Sequence, residues 1–327
     1  MRVRHCWAAI LGALLSAALA AGCTSSGPSA THPPAAGHGC AFRAAAAPGA
    51  NLEITVPIAP ALAAGARFRT AVIHVPRSYR PGRPAPVVLE FHGASPDATA
   101  AGYLRGSPLE KISDREGFLD VFLQGLRQPS GNVGWNAYGP VLYKVAELPF
   151  VEAVIARIER DFCVNRREIY ASGISNGANM VNYLACRATA REIAAIAPVV
   201  GPMYGQDDGP CAPPRPVPIL DVHSVNDPAV PYGGIPAGAG GFPLPSVPAW
   251  LRGWARLDGC HVKPAVEQVA PGQRLSRWSR CAAGAEILAY AVHAGHGWPE
   301  TLGGVSAAEV VWRFFAAHPL PASAGAS

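Results

Sequence analysis

Short apolar stretches alternate with longer amphipathic segments through most of the chain. The apolar stretches are rich in β-branched residues, as buried strands are. Seven strands are predicted in this way, at residues 71–75, 87–91, 121–124, 168–171, 196–200, 219–223 and 287–292. The clearest amphipathic segment has apolar residues at helical spacing: Val151, Val154, Ile155, Ile158 and Phe162. Strands that alternate with helices predict an α/β fold, a mostly parallel central sheet with helices on both faces.

Two further helices are predicted from local signals. One runs from Asn179 to about Arg187, directly after a glycine-rich turn. The other begins at Ser306, where Glu309 is expected to complete a capping box before an apolar face. Residues 233–246 are rich in glycine and proline and predict a loop.

The N-terminal residues differ from the rest of the chain. Arg2 and Arg4 precede an apolar stretch too short for a membrane span, which predicts a signal peptide over residues 1–22. The sequence before Cys23 matches a bacterial lipidation signal imperfectly, so we expect a lipid on Cys23, with simple secretion as the alternative. The remaining segments are predicted as a tether (23–39), one folded domain (40–320) and a disordered tail (321–327).

Composition narrows the class of protein. Half of the residues are hydrophobic and only 15% are charged, which favours an ordered globular domain. The formal net charge is +5 without any basic run, so nucleic-acid binding is not indicated. Six cysteines lie in the predicted domain, and an even number in an exported chain predicts three disulfides of open pairing. Their spacing does not suit a zinc site.

Residues 173–177 have the pattern Gly-x-Ser-x-Gly between a predicted strand and a predicted helix. In that position the pattern is typical of a nucleophile elbow, a tight turn that would expose the hydroxyl of Ser175. An ordinary glycine-rich turn is the alternative. A serine hydroxyl is a weak nucleophile, so the hypothesis requires a base, an acid and oxyanion donors elsewhere in the chain.

An acid and a base would follow the serine in that order, each on a loop after a later strand. Asp227 follows the sixth predicted strand and is the predicted acid. Asp221 is its rival, but it lies inside that strand. His296 follows the last predicted strand between glycines and is the predicted base, with His293 as its competitor.

The oxyanion of a reacting carbonyl would need backbone amides. The amide of Asn176, the residue after the nucleophile, is one predicted donor. The second is expected from the loop after the second predicted strand, where we favour Ala94, although Gly93 and Ser95 are equally near. We expect the adjacent His92 to brace this loop.

Together these motifs resemble a family of secreted esterases that includes feruloyl esterases, acetylxylan esterases and polyhydroxybutyrate depolymerase-like lipoproteins. The resemblance runs from about Cys40 to Pro319. The matching segments are His92-Gly93, Gly117-Phe118, and residues 167–170, 173–177, 194–199, 227–232 and 295–299. The resemblance implies an α/β-hydrolase fold that needs no cofactor or metal. It also implies a catalytic triad made of Ser175, Asp227 and His296.

The resemblance has further implications and some departures. It implies three disulfides: Cys260–Cys281, Cys186–Cys211 and, by remainder, Cys40–Cys163. Ala178 and Ser224 stand where the family usually has glycine. Residues 146–147 replace a usual pair of aspartates, and we expect this change to alter a surface near the acyl pocket. Trp135 and Trp298 are predicted to line that pocket, and a place in the core is the alternative for each.

We therefore predict an exported serine esterase that works through an acyl-enzyme on feruloyl or acetyl esters of plant polysaccharide such as xylan. The alternatives are a hydrolase of polyhydroxybutyrate-like polyester or its oligomers, an acyl transferase and, from another class, a lipid-anchored ligand-binding protein on an inactive hydrolase fold. We expect an extracellular monomer, secreted or attached to the membrane through Cys23, that binds no nucleic acid.

Overall fold

The computed structural model of the chain describes residues 44–60, 65–137, 145–201, 210–239, 243–261 and 263–322. The predicted signal peptide, the tether, the lipid on Cys23, the end of the tail and Cys40 lie outside these residues. None of the described helices is long and apolar enough to cross a bilayer.

A ten-stranded mixed sheet organises the described residues. Its strands are numbered along the chain, and their order across the sheet is β1 (Asn51–Pro57), β2 (Phe68–His74), β4 (Leu119–Leu123), β3 (Ala85–Phe91), β7 (Val164–Ile174), β8 (Ile196–Val199), β9 (Ile219–Ser224), β12 (Ile287–Val292), β11 (Gln273–Trp278) and β10 (Ala265–Ala270). The central strands from β4 to β12 are parallel. The two strands at each end run antiparallel to their neighbours.

Helices cover both faces of this sheet. In chain order they are α1 (Ala100–Gly106), α2 (Glu110–Glu116), α3 (Glu147–Asp161), α4 (Asn176–Ala185), α5 (Val247–Leu257) and α6 (Ala307–Ala317). Helices α3, α4 and α5 pack in one apolar cluster, and α2 and α6 in another. Alternate residues of β3 join opposite clusters, since Val87 and Leu89 lie in the first and Val88 in the second.

Four short strands lie outside the main sheet and form two hairpins. The first pairs β5 (Leu126–Arg127) with β6 (Val133–Gly134), and the second pairs β13 (Thr301–Leu302) with β14 (Val305–Ser306). The first hairpin follows β4, and the second precedes α6.

The predicted α/β architecture is confirmed. All seven predicted strands lie in the main sheet, and the last of them has the predicted bounds. The prediction missed β1, β10 and β11 at the two ends of the sheet. Strand β10 has no buried residue, so its sequence lacks the apolar stretch by which the central strands were recognised.

The predicted capping box at α6 is wrong. Ser306 is the N-cap residue, but its side chain makes no capping hydrogen bond. The carboxylate of Glu309 instead binds two guanidinium groups, those of Arg115 on α2 and Arg313 one turn further along α6. Glu309 therefore links α2 to α6 and does not close the helix end.

Two disulfides join described residues, and both match the pairing that the resemblance implies. Cys186, at the end of α4, is bonded to Cys211, and Cys260, after α5, is bonded to Cys281. Cys163 is also disulfide-bonded. Its pairing with Cys40 stays a prediction, because Cys40 lies outside the described residues.

Candidate active site

Ser175 lies at the turn between β7 and α4 with a backbone conformation that side-chain-bearing residues rarely adopt. Its φ is 56° and its ψ is −119°, and strain of this kind is concentrated at functional sites. Two backbone hydrogen bonds fix the turn. The Ser175 amide donates to Val199 O at 2.9 Å, and Ser175 O accepts from the Asn179 amide at 3.1 Å.

The glycines around Ser175 are required by close backbone packing. A Cβ on Gly177 would lie 2.0 Å from Phe91 O, and a Cβ on Gly173 would lie 2.7 Å from the Gly177 carbonyl. A third glycine, Gly201, faces the turn, where a Cβ would lie 2.4 Å from Ser175 O. The turn therefore packs directly against the end of β3, and the pattern itself does not reveal Gly201.

Three side chains form one hydrogen-bonded series at this turn. Ser175 Oγ lies 2.8 Å from His296 Nε2, and His296 Nδ1 lies 2.8 Å from Asp227 Oδ2. Asp227 Oδ1 accepts from the amides of Ala229 and Val230, each at 2.8 Å. Because the buried carboxylate only accepts, it assigns the imidazole proton to Nδ1 and leaves Nε2 to accept from the hydroxyl.

The rival acid and base lie elsewhere. Asp221 is buried on β9, has no hydrogen-bond partner among the described residues, and has its pKa raised to about 8 by desolvation. His293 is exposed and lines a separate cavity of about 320 Å³ whose lining does not include Ser175. Of the four candidates, Asp227 and His296 are therefore the two that join Ser175.

The backbone amides of Asn176, Ala94 and Gly93, all near Ser175, have no acceptor among the described residues. Asn176 is the first residue of α4, where amides have no intrahelical acceptor and the helix dipole favours negative charge. The amide of Ser95 donates to Val133 O at 3.3 Å, which removes Ser95 from the three alternatives. Gly93 packs against Ser175, since a Cβ there would lie 3.4 Å from Ser175 Cβ.

His92 braces the loop between β3 and α1. Its Nδ1 donates to Gly93 O at 2.8 Å, and its Nε2 accepts from the Gly125 amide at 3.0 Å. Burial lowers the pKa of His92, which favours this neutral form.

Trp135 does not line an open pocket, contrary to the prediction. Its indole is fully buried, packs edge-on to Phe91 at 5.0 Å between ring centroids, and donates to His92 O at 2.9 Å. Its main chain matters more for the site, because the Trp135 amide donates to Asn176 Oδ1 at 2.7 Å and Trp135 O accepts from Asn176 Nδ2 at 3.1 Å. This two-way pairing holds the start of α4.

Trp298 is half-buried and packs on the apolar cluster that contains α6. It lines the same 320 Å³ cavity as His293, so its predicted contact with an acyl group stays a prediction.

The segment at residues 146–147 does not alter a surface, as the sequence suggested, because Glu147 is buried. Its Oε2 accepts from Arg69 Nη1 at 2.6 Å and its Oε1 accepts from the Asn136 amide at 2.9 Å. The Arg69 guanidinium in turn lies 3.7 Å from the ring centroid of Phe150. This internal ion pair supports the segment that follows Trp135, and its partners are too distant in sequence for a pattern to predict.

One group of metal-ligating side chains occurs among the described residues. Ligand atoms of His74, Glu110 and Asp114 lie within 4.8 Å of one another, at the end of β2 and on α2. Asp114 is already engaged, because its carboxylate accepts from the Arg77 amide at 2.8 Å and lies 3.1 Å from Arg77 Nε. His74 Nδ1 lies 2.7 Å from Asn51 Oδ1. His74 and Asp114 are thus engaged in hydrogen bonds that join β1, β2 and α2.

Comparison with known proteins identifies relatives among esterases, although no family model matches the chain. The chain is 29% identical over 232 residues to feruloyl esterase B of Piromyces equi, an alignment that covers 69% of this chain and 42% of that protein. It is 27% identical over 263 residues to feruloyl esterase C of Emericella nidulans, which covers 76% and 84%. The chain thus spans less than half the length of the first relative and most of the second.

Among solved structures, the acetyl xylan esterase from Aspergillus awamori superposes with a TM-score of 0.56 at 15% identity, over 76% of this chain and 94% of that one. The order of the strands and this likeness show that the chain has the α/β-hydrolase fold. Within that class its homologues are proteins named feruloyl esterase and acetylxylan esterase, as the sequence resemblance predicted.

Proposed function

We propose that the protein is an exported serine esterase that cleaves feruloyl or acetyl esters of plant polysaccharide such as xylan. The observation that carries the proposal is the series of hydrogen bonds from Asp227 through His296 to Ser175. An acceptor nitrogen 2.8 Å from a hydroxyl, with its other nitrogen bound to a buried carboxylate, is the arrangement that activates a serine.

Acylation follows from these contacts. His296 Nε2 takes the proton of Ser175 Oγ as the oxygen attacks the ester carbonyl carbon. The amides of Asn176 and Ala94 donate to the oxyanion that forms. His296 then gives the proton to the leaving alcohol oxygen, the bond between carbon and that oxygen breaks, and the acyl group stays on Ser175.

Deacylation uses the same groups in reverse. A water molecule takes the place of the alcohol and gives a proton to His296 as it attacks the acyl carbon. The proton then passes to Ser175 Oγ, and the free acid leaves. Asp227 accepts from His296 Nδ1 throughout and stabilises the imidazolium that forms twice per cycle.

The substrate class rests on the names of the relatives. Feruloyl esterase and acetylxylan esterase recur among them, which favours aromatic and acetyl esters of polysaccharide over polyester.

Two disulfides between described residues support export to an oxidising compartment. Attachment through a lipid on Cys23 is part of the proposal.

Replacing Ser175 by alanine tests the nucleophile. Because the variant has no oxygen to acylate, we expect kcat for p-nitrophenyl acetate to fall by about 10⁴-fold or more, with the unfolding temperature unchanged. The matched control is Ser172→Ala, three residues earlier on β7, whose buried hydroxyl has no partner among the described residues. Near-normal turnover by Ser175→Ala would exclude the proposed mechanism.

Initial rates on methyl ferulate, acetylated xylan and short hydroxybutyrate oligomers test the substrate class. We expect kcat/KM on the first or second substrate to exceed that on the oligomers. The reverse order would favour the polyester alternative. Binding of feruloylated oligosaccharide without turnover would favour the ligand-binding alternative, and more transfer than hydrolysis with an added alcohol would favour the transferase.

A further inference from the structure

Two polar side chains, one at the end of β9 and one just after it, bind the backbone of the loop after β12. Ser224, the last residue of β9, is fully buried, and its Oγ accepts from the Ala294 amide at 2.9 Å. The same hydroxyl donates to Asn226 Oδ1 at 2.6 Å, and this oxygen accepts from the Gly295 amide at 3.3 Å. Two consecutive amides of one loop are thus held by two side chains of the other.

These two loops carry Asp227 and His296. Ser224 and Val292 are register partners at the ends of the parallel strands β9 and β12, so the loops leave the sheet side by side. Gly295, immediately before the histidine, has a φ of 61°, in a region where glycine gives the backbone freedom. The position of the imidazole therefore depends on contacts that hold this loop from outside.

We propose that Ser224 and Asn226 are positioning residues, which hold His296 in line between Asp227 and Ser175. The proposal rests on the proposed function, because it assumes that His296 is the base. The two side chains act through the loop backbone and not on the substrate. A displacement of the imidazole by about 1 Å can cost about 10²-fold in rate, so these hydrogen bonds are expected to matter for turnover.

The link between the two loops requires a hydroxyl group at position 224. It accepts one hydrogen bond and donates another, which neither glycine nor alanine can do.

Ser224→Ala removes the link, and Ser113→Ala is its matched control. Ser113 lies on α2, in a different part of the fold, and is also fully buried. Its Oγ donates to Phe118 O at 2.7 Å. With p-nitrophenyl acetate we expect kcat of Ser224→Ala to fall about tenfold while KM stays within about twofold. Ser113→Ala is expected to change neither by more than about twofold.

Asn226→Ala is a second variant in case Ser224→Ala does not fold. Because Asn226 is exposed, we expect its replacement to leave the fold intact. We expect a smaller loss of kcat from Asn226→Ala than from Ser224→Ala. The double variant should lose no more than Ser224→Ala alone, because the two side chains act as one unit.

Proton NMR separates positioning from general stability. We expect the proton between His296 Nδ1 and Asp227 to give a low-field resonance in the wild type. This resonance should broaden or vanish in Ser224→Ala and persist in Ser113→Ala. A folded Ser224→Ala or Asn226→Ala variant with wild-type kcat and an intact resonance overturns the proposal. Activity in Ser175→Ala would instead overturn the proposed function, whatever the result at position 224.

Discussion

Asp221 and Asp227 lie six residues apart in the chain, but their carboxyl groups have very different surroundings. Asp227 accepts from two amides and from His296, all of which stabilise a carboxylate. Asp221 is buried without a partner among the described residues, and desolvation raises its pKa to about 8. The two aspartates thus differ in environment: hydrogen-bond donors surround the first, and the second is desolvated without one.

This contrast predicts opposite results for two equivalent substitutions. Asp227→Asn should lower kcat by about 10³- to 10⁴-fold, because the amide can stabilise the wrong tautomer of His296 and no longer stabilises its imidazolium. Asp221→Asn should leave kcat within about twofold, because that side chain does not contact His296. Both are measured on p-nitrophenyl acetate, and loss of activity in Asp221→Asn alone would exchange the roles of the two residues.

At the scale of elements, the turn between β7 and α4 is built against the end of β3. A Cβ on Gly177 would approach both Phe91 O and His92 O, which are backbone atoms that cannot rotate away. The first turn of helix α4 therefore lies against the end of β3 in space, and Ser175 lies beside the loop that carries Ala94.

Gly177→Ala should consequently destabilise the fold strongly. A Cβ 2.0 Å from Phe91 O must push apart two elements of the sheet layer, and we expect the free energy of unfolding to fall by more than about 3 kcal/mol. Gly253→Ala on α5 is the control, because a Cβ there meets nothing within 4 Å and should stabilise the helix by about 0.5–1 kcal/mol. Urea unfolding measures both, and equal stability of the two variants would contradict the packing argument.

The elements that could be predicted from the sequence are those marked by a pattern of neighbouring residues. The central strands are apolar runs, and Ser175, Asp227 and His296 lie directly after such runs, so both the fold and the candidate residues could be inferred. The capping box at Ser306 was predicted wrongly because one of the two partners of Glu309, Arg115, lies 194 residues away. Trp135 was misplaced for the same reason, since the core around its indole is assembled from β3 and α3.

At the scale of the whole molecule, burial favours the protonated form of several carboxyl groups. Desolvation raises the pKa of Glu90 to about 7, of Asp258 to about 7 and of Asp221 to about 8. A carboxyl group whose pKa is higher in the folded than in the unfolded chain stabilises the fold at low pH. That contribution is lost as the pH rises through the folded-state pKa.

Asp221→Asn isolates one of these contributions. Below about pH 4 the aspartate is protonated in both folded and unfolded chains, so the variant and the wild type should show the same pH dependence. Between about pH 4 and pH 8 the wild type should lose stability relative to the variant, and above that range the difference should stay constant. Denaturant unfolding across this range measures the difference, and a constant difference throughout would show that Asp221 ionises normally in the fold.

The pairing of Trp135 with Asn176 has a consequence for engineering. Residues 91–94, 134–136 and 173–177 contact one another through backbone atoms and through the side chains of Trp135 and Asn176. We therefore expect that none of the three can be exchanged alone for the corresponding segment of a relative. They are best transplanted together, as a single cassette. Attempts to change specificity by loop grafting should therefore leave this cassette intact and vary the chain outside it.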